Sequence, residues 1–406
     1  MNYPEPPPEN QWNNLDDGPA IDPDEDESIV QPFDPAKIRV ETRSMSLDLL
    51  LQRIEYKELD LAPDFQRQGG LWKSKAKSRL IESLLIRIPL PAFYMDATDD
   101  DRWSVIDGLQ RLSALKLFVI DKTMRLEGLE FLSQLEGMTY EEIPRNLQRR
   151  ILEAQVTVYL IEKGTPPEVK FNIFRRINTG GLPLTPQEIR HALYQGKATR
   201  LLKELADLPS FLEATTKSIP KDRMADREFV LRFLAFIITD PENYKSVEFD
   251  SFLGDTMKTI NLFPDEKLEL LKLQFERAML ASSNLLGKMA FRKIYDEDSP
   301  NYREYGARLP INKALFETWS VNLATLTVDE HLVLKKNHDI LIDGFFTLMG
   351  NWKFLNSISQ GTGDPGRVKV RFKSIRLLIQ YCLSDNIRTE KSFGDFIASE
   401  DIQVEA

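Results

Sequence analysis

A change of period divides this chain. Up to Ile161, short stretches alternate polar and apolar residues; from Ala198 onward nearly every apolar spacing is that of a helix. Gln155–Ile161 alternates most clearly, with Val156, Val158 and Leu160 on one side of a predicted strand. Ala92–Met95 and Arg102–Ile106 flank the polar turn Asp96–Asp101 and read as a hairpin, so the sheet is expected to be small. Between these runs, Ser46 can cap a helix carrying Leu47, Leu50, Leu51 and Ile54 on one face. A second helix, with Leu80, Ile81, Leu84, Leu85 and Ile88, stops at Pro89-Leu90-Pro91. Further helices are predicted over 198–207, 226–239, 248–261, 265–292, 311–325, 329–348 and 368–384. The expected class is α+β: a mostly helical domain with a small sheet at 37–210, then an all-α domain at 211–406.

Residues 1–36 are different in kind. They hold eight prolines and ten acids with no lysine or arginine, too little apolar surface to order a core. A disordered acidic arm is expected there, either a solubilising tail or a mimic of nucleic-acid charge lying over a basic groove. Removing its ten acids from the 63 leaves 53, matching the 53 bases of the remaining chain. A body of zero formal charge is not coated for non-specific nucleic-acid binding, although a local basic groove is allowed. The single cysteine, Cys382, excludes an intramolecular disulfide and a multi-cysteine zinc site. His191, His331 and His338 are dispersed and read as structural. The start lacks a secretory pattern, and the most apolar run, Phe229–Thr239, contains Arg232 and is too short to span a bilayer. A cytoplasmic protein with no membrane partner is expected.

Three stretches carry polar chemistry. In Val105-Ile-Asp-Gly-Leu-Gln-Arg-Leu-Ser-Ala-Leu115 a short strand meets a helix at Asp107-Gly108. Gly108 permits a sharp turn or a close ligand, and the helix N-terminus suits an anion such as phosphate. Arg111 could clamp that anion, and Asp107 could hold a metal ion or a hydroxyl; a plain capped turn accounts for the same pattern. In Phe174–Leu193, a helix ends near Asn178, Gly180-Gly181 carries the chain on, and Thr185, Pro186 and Glu188 form a full capping box. Arg175, Arg176, Glu188, Arg190 and His191 crowd this glycine loop, which otherwise reads as a well-capped helical hairpin. Gly366–Arg376 holds five bases and no acid, among them Arg367, Lys369, Arg371 and Lys373. That suits contact with a nucleic-acid backbone, or equally one solvated face of an amphipathic element.

These stretches resemble a known family. Phe65-Gln66-Arg67 with Leu71-Trp72, then Ser78–Pro91, Val105–Leu112, Ile173–Gly181 and Gln187–Ala192 are similar, in order and spacing, to the N-terminal domain of GmrSD-type restriction endonucleases. The resemblance covers about residues 45–210; the rest looks like the helical extension that often follows this domain. It implies a fold similar to ParB and sulfiredoxin, nucleotide binding or hydrolysis, and defence against foreign or modified DNA. The family's Asp-Gly-Gln-Gln-Arg reads Asp107-Gly108-Leu109-Gln110-Arg111 here, so any contact made by the first Gln is missing. By the same resemblance Gln66, Arg67, Gly108, Gln110 and Arg111 line a phosphate pocket that Arg176 and Asn178 close. A separate His-Asn-His nuclease domain is not evident. The function expected first is a nucleotide-dependent defence component, a nucleoside-triphosphate hydrolase using Asp107, Arg111 and Mg²⁺. The alternatives are a DNA-binding sensor that recruits a separate nuclease subunit, and a DNA-nicking domain acting through Asp107.

Overall fold

The structure, a computed structural model, describes Ile21 and residues 39–61, 72–166, 169–171, 173, 185–246, 248–294 and 309–400. Two compact units are present, Gln31–Leu193 and Tyr194–Ala406, the latter together with Met1–Val30. The sequence reading places the boundary at residue 210. The Lys197–Ala206 helix lies between these positions, and its Leu201, Leu202 and Leu205 belong to the core of the second unit.

The first unit is built on a five-stranded mixed sheet. Its strands are β1 (Val40–Ser46), β2 (Leu59–Asp60), β3 (Phe93–Ala97), β4 (Trp103–Asp107) and β5 (Gln155–Glu162), in spatial order β1-β5-β3-β4-β2. β3 and β4 form the expected antiparallel hairpin, whereas β3 and β5 run parallel, Tyr94 opposite Tyr159. Phe93, Met95, Trp103, Val105, Val156, Val158 and Leu160 face the larger core. Helices α1 (Leu47–Glu55), α2 (Ser74–Leu85), α3 (Leu109–Leu115) and α4 (Arg145–Glu153) contribute to that core. Ile106 and Ile161 face the other way and pack with Phe171 and with Ile189 of α5 (Pro186–Leu193). Ser46 caps α1 by accepting from the Leu49 N–H, and Thr185 and Glu188 make the predicted reciprocal box at α5.

One buried acid pins a long connection. Glu82, on α2, accepts the backbone N–H groups of Glu130, Phe131 and Leu132 within the stretch that joins α3 to α4. Burial opposes its charge, but these N–H groups and the nearby Arg79 prevail and hold its carboxyl below the ordinary value. A depressed folded pKa gives stability that is complete above the unfolded carboxylate pKa and is lost as pH falls through the folded one. Glu82→Gln is therefore expected to cost about 1–3 kcal/mol at neutral pH. It should also flatten the acid limb of stability measured by urea melts from pH 3 to 7, and an unchanged acid limb would remove this role.

The second unit is all helical among its described elements, apart from isolated bridges that join Ile311 to Ile21 and to Arg292. The Ala225–Ile238 and Lys313–Ala324 helices are buried on almost every side. Two expected helices differ. The 265–292 run ends at Leu286, where Gly287 turns the chain at φ +52°, and the 329–348 run breaks into Val328–Lys336 and His338–Gly350. No described helix is long and apolar enough to cross a membrane. Buried Cys382 has its thiol pushed up to about 12 by its surroundings.

Candidate functional site

The Asp107–Arg111 junction is shaped by an irregularity in β4. Met95 pairs with Val105, but the next residue, Tyr94, pairs with Asp107, so Ile106 is an extra residue in the ladder. Such a bulge re-aims the side chains beyond it. Asp107 therefore shares the Tyr94 side instead of following Val105 into the core, and its side chain keeps 32% of its exposure. Tyr94 stacks on Tyr159, ring centroids 4.8 Å apart. Burial first, then the neighbouring Tyr159 and the Asp107 charge, raise the Tyr94 hydroxyl pKa.

Gly108 follows at φ +100°, and no side chain caps the helix it begins. A Cβ at this position would stand 2.3 Å from Phe93 Cδ1 and 3.2 Å from Arg111 Nη2, so both conformation and space call for glycine. Leu109 is buried in the larger core. Gln110 accepts a hydrogen bond from the Trp72 backbone N–H at 3.2 Å. This ties the helix start to the chain just beyond the glycine-rich loop.

Arg111 corrects the sequence reading of an open anion clamp. It is only 8% exposed, and its guanidinium donates to the carbonyls of Pro91 and Ala92 and, at 2.7 Å, to Asp107 Oδ2. The same group lies 4.5 Å from the Phe93 ring centroid. Burial lowers its pKa and the Asp107 carboxylate opposes that shift. These contacts make Arg111 a positioning residue that fastens Asp107 to the strand entry.

Gln66, Arg67, Arg176 and Asn178 lie outside the described residues, as does the glycine loop between Asn178 and Thr185. On α5 the polar side chains Gln187, Glu188, Arg190 and His191 are all buried, with Arg190 Nε donating to Gln187 Oε1 at 2.9 Å. Lys170 pairs with Asp96 at 3.0 Å on the Tyr94 side of β3. Sequence reasoning missed Tyr94, Phe93 and the Pro91–Ala92 carbonyls, because their approach to Asp107 depends on strand pairing. Among the described residues no group of three or more His, Cys, Asp or Glu could hold a metal ion.

The basic strip of the second unit is broken up by its helix, Pro365–Leu383. Lys369 is exposed, Arg367 is half-buried, and Lys373 donates to the Glu400 carbonyl at 2.9 Å. Arg371 is fully buried and bonded to Glu317, which removes it from any phosphate-contact face. The helical period places residue 371 toward the core, where alternating bases would have lined one edge of an extended strand.

No curated protein and no solved structure was found to match the chain. Residues 47–195, the stretch that holds the bulge, Gly108 and the α5 capping box, match the family model of the GmrSD restriction endonuclease, N-terminal domain.

Proposed function

We propose that this protein is a component of a DNA-restriction or anti-phage defence system that binds a nucleoside triphosphate, with Mg²⁺, at the Asp107–Gly108–Gln110 junction. The observation that supports the reading is the uncapped helix start behind a left-handed Gly108, with Asp107 turned out of the core beside it. Asp107 is already paired with Arg111, and it is a single carboxylate. Mg²⁺ is commonly held by one or two carboxylates together with substrate phosphates and water, so Asp107 fits an ion brought by the nucleotide. The metal would supply charge neutralisation at the phosphates. The chain's own part is to orient Asp107 through Arg111 and to hold the helix start through Gln110. Turnover of the nucleotide is the activity we assign to this site, with Gln66, Arg67, Arg176 and Asn178 as further phosphate-contact residues. The DNA-sensor reading is weaker, since buried Arg371 leaves Arg367, Lys369 and Lys373 as its remaining contacts.

The test is a thermal-shift series with ATP, GTP, CTP and UTP, each with and without Mg²⁺. A ligand at 100 times its Kd should stabilise the first unit by about 2.7 kcal/mol, and Asp107→Ala should abolish the shift. If no nucleotide moves the transition and no phosphate is released, the proposal is wrong.

A further inference from the structure

The side of the sheet that receives Asp107 also carries an aromatic stack. In β3, Tyr94 stands opposite Asp107 of β4 and opposite Tyr159 of β5, so the three side chains share one face. The two rings are stacked, with centroids 4.8 Å apart and planes 23° from parallel, and both tyrosines are only half-buried. Tyr94 packs against the smaller core, whereas the far face of the Tyr159 ring is turned toward β1, at the edge of the sheet. There Tyr159 is paired with Thr42, which is exposed. Two residues back on the same side of β1 is Val40, which keeps 39% of its exposure. A short hydroxyl side chain and an exposed valine beside an aromatic face make a shallow shelf, apolar in its floor and open to water.

Stacking on such a ring asks only for a planar π-face, which every nucleobase has. From Asp107 to Tyr159 is two strand spacings, about 10 Å. That span suits a nucleotide with its phosphates at one end and its base at the other. We infer that the shelf formed by Tyr159, Val40 and Thr42 seats the base of the nucleotide, with Tyr94 as the second ring of the stack. The inference rests on the reading of a nucleotide at Asp107 and adds how that ligand is recognised. The base is gripped by its face and not by its hydrogen-bonding edge, so all four bases are accepted.

Inorganic tripolyphosphate separates the two ends of the ligand. In calorimetric titrations of the full chain with Mg²⁺, ATP, GTP, CTP and UTP should each bind about 10- to 100-fold more tightly than tripolyphosphate, the effect of one base–aromatic stack. Tyr159→Leu should remove that advantage and leave the affinity for tripolyphosphate unchanged, while Tyr159→Phe should keep it. Thr42→Trp is a second variant, at an exposed strand position that accepts an aromatic residue. Its ring should fill the shelf and weaken the four nucleotides by the same factor, again without affecting tripolyphosphate. Nucleotide affinities that are equal in the parent, Tyr159→Leu and Thr42→Trp chains would overturn the inference and leave the phosphate end standing. Equal losses of nucleotide and tripolyphosphate would trace the defect to the phosphate end and would also overturn it. If neither the nucleotides nor tripolyphosphate bind the parent chain, the nucleotide reading itself fails and the shelf falls with it.

Discussion

Replacing Glu317 by alanine is expected to destabilise the helical unit by about 3–5 kcal/mol, the cost of leaving buried charge without its partner. Glu317 has no exposed surface, and its two oxygens serve two guanidinium groups: Arg232 at 2.7 Å and Arg371 at 2.5 Å. Arg371 is fully buried and also donates to the Thr362 carbonyl at 2.7 Å. Burial lowers its pKa, and the Glu317 charge is the chief influence against that shift. Arg232 is shared with Glu228, which in turn takes Lys313, so the removal of one carboxylate leaves an excess of positive charge among apolar helices. Urea melts followed by two probes, one in each unit, should show the helical transition moving alone. Glu317→Gln should be milder but still damaging, since it keeps the shape and loses the charge. Changing Glu317 and Arg371 together to methionine should recover much of the loss, because a buried pair can often be replaced by packed apolar groups. A cost under about 1 kcal/mol for Glu317→Ala would mean that water reaches the cluster after all.

The second large effect is expected at Gly108. Alanine there should cost about 3 kcal/mol, combining left-handed backbone strain with an overpacked contact on Phe93. Asparagine tolerates the left-handed region better than most residues, yet it brings the same Cβ to 2.3 Å from the ring. Gly108→Asn should therefore remain nearly as damaging as Gly108→Ala, and this separates crowding from strain. Phe93→Leu in the alanine background should restore part of the stability. It should not restore all of it, because Arg111 also lies against that ring. If the alanine variant melts like the parent chain, the junction is looser than its geometry states.

What the residues disclosed in advance follows the range of the forces involved. The Thr185–Glu188 box and the Ser46 cap depend on neighbours three residues away, and both form as read. The hairpin was legible for the same reason. β1 was not, because Val40–Ser46 is a largely exposed edge strand with no apolar alternation, held by its backbone pairing to β5. Glu317 is the one acid of the Lys313–Ala324 helix, and its partners Arg232 and Arg371 lie 85 and 54 residues away, beyond the reach of local pattern. At the junction, Asp107 and Arg111 stand four residues apart, so their pairing was within local reach. The carbonyls of Pro91 and Ala92 that draw Arg111 inward were not. The sequence pattern marked the strand-to-helix junction, and strand packing sets the direction of its arginine.

The extra residue in β4 also bears on how this domain can vary. Trp103 to Gly108 runs along β3 with one residue more than its neighbour offers, and that surplus seats Ile106 in the smaller core while Asp107 stays opposite Tyr94. Deleting Ile106 would restore a regular ladder and bring the following residue into its place in the pairing, at the expense of a contact on the smaller core. Insertions in the turn between the two strands, residues 98–102, are free of this constraint. Length polymorphism among natural variants should therefore gather in that turn and avoid the five residues before Gly108.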